Sequence, residues 1–348
     1  MGAPATLPAS GPGRVVCFGE LLLRLSPPGR ELPFQSPQLA AHFGGAEANV
    51  AASLAILGHH SAMISALPDN VIGRASAAEL RRHGVDTTGI RFAAGRMGLY
   101  LLSAGAMQRP AEVTYDRAGS VFALTQAGAY DWPQRLRGAR WLHLSGISLS
   151  LGEVTAEAVL AAVRAARDAG IMVSFDCNHR ANLWGARASQ APALLREVLT
   201  AATLVFGEAR DITLVLGTAI TADADDAGFA GAARAAFASF PGLQLLATTD
   251  RRHRDADTQT LRGRLATRDS QLETRAFPLN GIVDRIGSGD AFAAGLLHAL
   301  LRGMPGPQAL DFATAAGCLK HSVPGDVNLL HEADMLRLLG GEGFAVRR

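Results

Sequence analysis

Two glycines around a serine, followed at once by an aspartate, are the residues of this chain best equipped for chemistry. They are Gly287-Ser288-Gly289-Asp290, within the run Asp284-Arg285-Ile286-Gly287-Ser288-Gly289-Asp290-Ala291-Phe292-Ala293-Ala294-Gly295. Ala291, Phe292, Gly295, Leu296, Ala299 and Leu300 share one helical face, so the spacing predicts a helix from about Asp290 with a Gly-Ser-Gly turn before it. Such a turn leaves several backbone N–H groups free, and the helix dipole adds partial positive charge at the same point. Glycines let the backbone approach an anion with no Cβ in the way. A phosphoryl group in transfer, its negative charge spread over several oxygens, suits that cradle. Asp290 stands at its edge, placed to take a proton from an attacking hydroxyl. The plainer alternative is a glycine-rich loop with Asp290 as an N-cap.

Other glycine-rich chemistries fit less well. The pattern is Gly-x-Gly-x-x-Phe, without the third small residue of a dinucleotide fingerprint, and it lies near the C-terminus with no βαβ unit after it. No Gly-Lys-Ser/Thr occurs, which excludes a Walker P-loop. The ten histidines form no HExxH or similar cluster, and His179 is read as a packing or solvent residue. Cys17, Cys177 and Cys318 are odd in number and far apart, which argues against a disulfide framework or a zinc site and for a reducing compartment.

Further candidates follow predicted strands. Asp176-Cys177-Asn178-His179-Arg180-Ala181-Asn182-Leu183-Trp184 comes after a strand ending at Phe175, and ligands of parallel sheets collect at the carboxyl ends of strands. Arg180 there could grip a carboxylate with two parallel hydrogen bonds, or serve in a structural ion pair. Gln108-Arg109-Pro110 and Tyr115-Asp116-Arg117 form a second basic group. Tyr100 and Tyr115 offer hydroxyls and apolar faces that suit a sugar, or that pack the surrounding layer.

The elements that must hold these residues read as an α/β fold. Arg14 to Glu20 is a buried strand that Leu21 to Leu25 can extend, and Ala46 to Leu57 a helix closed by Gly58. Met63–Leu67, Trp141–Leu144, Met172–Phe175, Thr203–Phe206 and Leu243–Ala247 are further strands. Ala75–His83, Ala156–Ala169, Ala193–Leu199 and Ala227–Phe240 are helices between them. Apolar strands alternating with amphipathic helices predict a mostly parallel sheet covered on both faces. Residues 90–124, broken by Gly and Pro, predict a small antiparallel flap with parts of 21–42. The segment 250–264, crowded with Arg, Asp and Thr, reads as an exposed polar loop. Residues 1–13 read as a disordered tail without a secretory signal, 14–340 as one domain and 341–348 as a C-terminal tail.

Composition agrees with a soluble, core-forming protein: 48% of residues are hydrophobic and 18% charged. A net charge of +2 gives no electrostatic reason to expect nucleic acid or an anionic membrane as partner. No apolar stretch reaches the length of a membrane helix. Lys320 is the only lysine; with the alanine richness, the preference for arginine reads as compositional bias.

Asp284-Arg285-Ile286-Gly287-Ser288-Gly289-Asp290-Ala291-Phe292 resembles the C-terminal motif of the ribokinase-like (PfkB) carbohydrate kinases. Phe43-Gly44-Gly45-Ala46-Glu47-Ala48-Asn49-Val50-Ala51 is similar to their N-terminal glycine motif, and the resemblance runs in order from residue 14 to about 335. It implies a three-layer ribokinase-like fold with a β-lid over the sugar, Gly287, Ser288 and Gly289 as anion hole, and Asp290 as base. The Asp-x-Asn-x-Arg-x-x-Leu-Trp stretch and the Gly-Leu-Tyr…Tyr-Asp-Arg lid resemble the 2-keto-3-deoxygluconate kinase branch. That likeness implies sugar-acid contacts at Gly44, Gly45, Tyr100, Tyr115, Arg117 and Arg180, with Glu20 and Asn49 as further candidates, and a 6-phosphate product. Glu20 could instead cap its strand, and Asn49 could bond within its helix.

The resemblance also implies ATP and Mg²⁺. Thr248, Thr249, Gly287, Gly289 and Asn328 would line the nucleotide pocket; Thr248, Thr249 and Asn328 could equally be a strand end and a turn. Glu208 and Asp211 would organise the water shell of Mg²⁺, with Glu208 where the family usually has Asn. A kinase for fructose, ribose or another keto-sugar acid is the alternative within the class. A sugar-binding regulator that has lost catalysis is the alternative outside it. A cytoplasmic homodimer with small-molecule partners follows by analogy.

Overall fold

The computed structural model describes residues 13–217 and 226–341. The tail expected over residues 1–13 lies outside the described residues except for Gly13, and the one over 341–348 except for Gly341.

One large sheet of ten strands forms the centre. In chain order its members are β1 (Arg14–Phe18), β4 (Ser61–Pro68), β5 (Asp86–Ala93), β8 (Ala139–Ser145), β9 (Met172–Asp176), β10 (Leu204–Phe206), β11 (Leu245–His253), β12 (Thr258–Ala266), β13 (Gln271–Glu273) and β14 (Phe277–Asn280). A second sheet takes β2 (Leu22–Ser26), β3 (Ala40–Gly44), β6 (Gly98–Ser103) and β7 (Glu112–Asp116). The large sheet runs β13-β12-β11-β10-β9-β8-β1-β4-β5, with β14 also on β12; the small one runs β3-β2-β6-β7. From β11 through β5 every pairing in the large sheet is parallel, and β12 to β14 add antiparallel strands at one edge. The central strands are buried apart from the first one or two residues of β1 and β8, as a parallel sheet with helices on both faces requires.

Two apolar clusters separate the layers. One gathers Phe18, Phe122, Trp132, Phe175 and Phe240 under the helix Glu153–Asp168, and the other joins the helices Ala46–Ile56 and Ser288–Leu301 to the opposite face of the sheet. Helix Ser288–Leu301 is buried all round from Ala291 on, because helix Gly306–Lys320 covers its outer side. Gly295 makes that contact possible, since a Cβ there would meet the Ala313 Cα at 2.9 Å.

The mostly parallel sheet and the presence of a small second sheet match the sequence reading, with four corrections. The small sheet is not antiparallel throughout, because its central strands β2 and β6 pair in parallel. Residues 14–25 do not form one extended strand: the chain leaves β1 at Gly19-Glu20 and enters the other sheet at Leu22, so Glu20 stands at the junction of the layers. Residues 90–93 belong to β5 at the edge of the large sheet, and the lid strands also reach Phe43 and Gly44, beyond the expected bounds. The segment 250–264 is no loop, for β11 and β12 pair in register from Leu246↔Ala266 to His253↔Gln259. Its inward side is filled by Gln259, Leu261, Gly263 and Leu265, and a Cβ on Gly263 would come within 2.1 Å of the Thr314 hydroxyl. All three cysteines are buried and free, and among the described residues no helix is long and apolar enough to cross a membrane.

Candidate active site

The carboxyl ends of β1, β8, β9, β10 and the middle of β11 open on one side of the sheet, where a cleft of about 610 Å³ lies under the small sheet. Its floor is the start of helix Ser288–Leu301. The helix begins two residues earlier than the spacing predicted, with Gly287 as N-cap at φ 79°, ψ 2°. A side chain at Gly287 would be strained in that left-handed conformation and would also bring a Cβ within 1.9 Å of the Asp326 carbonyl. Gly289 faces open space instead. The Ala291 N–H closes the first helical bond to the Gly287 carbonyl at 2.8 Å, while the amides of Gly289 and Asp290 have no acceptor among the described residues. Unpartnered first-turn amides at the positive end of a helix dipole form an anion cradle.

Asp290 stands beside that cradle, its Oδ2 accepting from the Asn49 side-chain amide at 2.7 Å. Burial pushes its carboxyl up to about 6, opposed by the Asn49 hydrogen bond. Asn49 bonds across to another helix here as well as accepting, at 3.4 Å, from the Gly45 N–H. Gly45 begins helix Ala46–Ile56 against the Glu20 carbonyl, 2.1 Å from where a Cβ would lie. Gly44 does not line the cleft; its Cα faces the Asp326 carboxylate, which a Cβ would strike at 2.2 Å.

The lid supplies Tyr100 and Tyr115, with ring centroids 5.8 Å apart, and Arg117 lies over the Tyr115 ring at 5.5 Å. Arg117 and Glu20, both expected to meet the sugar, are buried and bonded to each other at 2.9 and 2.6 Å. Glu20 also accepts from the Ser120 hydroxyl. The Arg117 charge therefore reaches the cleft already neutralised. Arg109 points elsewhere, donating to the Arg30 carbonyl at 2.7 Å. Arg180 is different: it is exposed at the cleft rim and bonds only the Tyr115 hydroxyl and the Asn178 side chain. No carboxylate lies within ion-pair distance of it among the described residues.

Across from the lid stands an acidic wall. Asp176, at the end of β9, is pushed up to about 8 by burial and then by the charges of Asp290 and Asp211. Glu47 is pushed up to about 7 by burial, although the Ser145 amide and hydroxyl donate to it at 3.0 and 2.7 Å. Asp211 is buried and accepts the Glu208 N–H at 2.8 Å in a reciprocal cap of helix Ala209–Leu216. Glu208 is exposed and paired with Arg210 at 2.9 Å. Thr248 and Thr249 line the cleft as well, next to Arg251, whose guanidinium donates to the Ser288 hydroxyl at 2.8 Å. Asn328 does not line it; it is buried in a turn, accepting from the Leu330 N–H at 3.4 Å.

Sequence reasoning missed Asp326, Arg24 and Arg251. Arg24 pairs with Asp284 at 2.6 Å and Asp326 at 2.9 Å, and the Tyr100 hydroxyl donates to Asp326. Asp326 sits in Val323-Pro324-Gly325-Asp326, a turn signature with no chemical motif around it. The one available signal for Arg24 was a charge inside an otherwise apolar strand.

The profile of the pfkB family carbohydrate kinases matches residues 13–240 and 258–333. The chain is 31% identical over 338 residues to the 2-dehydro-3-deoxygalactonokinase of Haloferax volcanii, covering 96% of this chain and 99% of that one. It is 28% identical to fructokinase-1 of Oryza sativa, covering 93% and 97%. The crystal structure of a 2-dehydro-3-deoxygluconokinase from Thermotoga maritima superposes with a TM-score of 0.90 at 34% identity, covering 94% of this chain and 100% of that one.

Proposed function

The chain belongs to the pfkB family of carbohydrate kinases, and from that premise we propose that it transfers the γ-phosphoryl group of ATP to the 6-hydroxyl of a 2-keto-3-deoxy sugar acid. One observation carries the reading. A single cleft holds a carboxylate beside unpartnered helix amides and, at its rim, an arginine with no anion of its own.

Asp290 accepts the proton of the attacking hydroxyl as the O–P bond forms and the bond to the β-phosphate oxygen breaks, leaving ADP. With its pKa near 6, Asp290 is ionised at neutral pH yet basic enough to take that proton. Asn49 holds the carboxylate in place. The Gly289 and Asp290 amides receive the equatorial oxygens, and Arg251 adds a positive charge on the nucleotide side. At the other end, Arg180 grips the sugar carboxylate, and Tyr100, Tyr115 and the Arg117–Glu20 pair form the wall around the hydroxyls. Two relatives carry the galactonate and gluconate names, so the substrate is proposed as a class covering both epimers.

The acidic wall fits Mg²⁺ in a particular way. Among the described residues no group of three His, Cys, Asp or Glu side chains is placed to hold an ion. The carboxylates of Asp176, Asp211 and Glu208 fit instead a cation that arrives on the triphosphate and meets them through water. Bound there, Mg²⁺ would draw charge from the phosphate oxygens.

The test is ADP release with ATP, Mg²⁺ and a panel of sugars. The expected result is kcat/KM for 2-keto-3-deoxygluconate or its galactonate epimer roughly thirtyfold above that for fructose or ribose, because a neutral sugar forgoes the charge-assisted contact to Arg180, about 2 kcal/mol. Equal or better turnover of a neutral sugar contradicts the assignment.

A further inference from the structure

Lys320, the only lysine in the chain, has 0% of its surface exposed. It closes helix Gly306–Lys320, which packs along the cradle helix, and its Nζ donates to the Val323 carbonyl at 2.9 Å. An ammonium in such a place is costly unless anions compensate it. Burial pushes the ammonium's pKa down, and Asp284 and Asp326, both buried, and then Asp290 oppose that shift through their charge, without ion-pair contact.

Asp284 and Asp326 hold the cradle from behind. Asp284 accepts the amides of Ile286 and Gly325, each at 3.0 Å, and so ties residues 284–287 to residues 323–326. The Asp326 backbone lies against Gly287, the N-cap of the cradle helix. Arg24 pairs with both carboxylates but supplies one positive charge for two negative ones. With Arg24 alone, a net negative charge would lie directly beneath the amides that must receive a phosphoryl group. Lys320 brings the count to zero.

We propose that Lys320 is a positioning residue for phosphoryl transfer, a built-in counter-cation that neutralises the Asp284–Asp326 pair and fixes the Gly287–Asp290 turn from below. It acts through the turn and touches neither sugar nor nucleotide. Its ammonium, held on the Val323 carbonyl within the electrostatic reach of two buried carboxylates, does what a small monovalent cation could do there. The native chain therefore needs no such cation, whereas a chain with the side chain cut away should accept one. The inference rests on the kinase reading.

The experiment uses the full chain as wild type, Lys320→Ala and Lys320→Met, with and without ammonium, methylammonium, potassium or sodium chloride. Steady-state kinetics and thermal melts are read together. Both variants are expected to lose about 100-fold in kcat, the scale of a weakened oxyanion site, with KM for the sugar nearly unchanged. Ammonium or potassium should restore Lys320→Ala saturably, by roughly tenfold or more, and leave Lys320→Met unrestored because its side chain fills the space. Wild-type turnover should be indifferent to all four salts. A folded variant with wild-type kcat, an alanine variant that no cation restores, or a wild type that depends on an added monovalent cation overturns the proposal. If Lys320→Ala does not fold, a folded Lys320→Met decides through its kcat, and the wild-type salt response decides in any case. A wild type that phosphorylates only a neutral sugar defeats the sugar-acid reading and leaves the Lys320 test to be run on that sugar.

Discussion

Behind the phosphate cradle and across the cleft from it lie two groups of buried carboxylates with opposite fates. Behind the cradle, Asp284 and Asp326 are paired with Arg24 and feel the charge of Lys320, so their charge is balanced within the chain. Across the cleft, Glu47 and Asp176 are driven up to about 7 and about 8 by burial, and among the described residues neither has an ion-pair partner to hold it ionised. The first region is complete as folded and works as a scaffold. The second is short of positive charge, as expected where a nucleotide-borne cation docks. Compensated charge marks what must stay still; uncompensated charge marks what waits for a ligand.

The sharpest way to break this contrast is at its centre. Asp290→Asn removes the proton acceptor while keeping the shape, and kcat should fall about 1,000-fold with KM for sugar and ATP little changed. Near-normal turnover in steady-state assays would show another base. At the uncompensated rim, Arg180→Ala loses a charge-assisted contact of about 2 kcal/mol, so KM for the sugar acid should rise roughly thirtyfold while kcat moves less.

A subtler difference lies in the pH dependence of the melting temperature. Asp176, Glu47 and Asp290 titrate near 8, 7 and 6 in the folded chain, above ordinary carboxyls, so between about pH 4 and 8 the folded state keeps protons that the unfolded chain has released. Their contribution to stability is therefore present in full below about pH 4 and drains away as pH rises through those values. The ligand-free protein should melt lower at pH 8 than at pH 6, and Mg²⁺ with an ATP analogue should raise the melt more at pH 8. An equal ligand-induced shift at both values would contradict the picture of a wall awaiting a cation. The smallest effect is expected at Glu208, exposed and already paired with Arg210: Glu208→Asn should change kcat/KM by no more than about threefold, the scale of a surface ion pair.

Much of this architecture was legible because its periodicities are strong. The central strands are apolar throughout, and Ala46–Ile56 and Ser288–Leu301 sit where glycine turns and apolar spacing put them. The β11–β12 hairpin was illegible because two of its four inward positions are Gln259 and Gly263, which blur the alternation of a half-buried strand, while Arg and Thr face outward. The break at Gly19-Glu20 was hidden because apolar runs flank it closely on both sides, Val15 to Phe18 and Leu21 to Leu23. At the site, Gly287 and Asp290 could be named from local pattern, and Asn49 only through the family resemblance. The partners that set their charge could not, for Arg24 meets Asp326 across 302 positions of chain. The same kind of distance hid the pairing of Arg117, whose bond to Glu20 spans 97 positions and leaves no trace in either local segment.

The account is tested most directly by a crystal structure with 2-keto-3-deoxygluconate and a non-hydrolysable ATP analogue bound. The expected complex has an Asp290 carboxylate oxygen about 3 Å from the 6-hydroxyl, the sugar carboxylate on Arg180 and the terminal phosphate on the Gly289 and Asp290 amides. A sugar bound in reverse, its carboxylate on those amides and its 6-hydroxyl out of reach of Asp290, would contradict it.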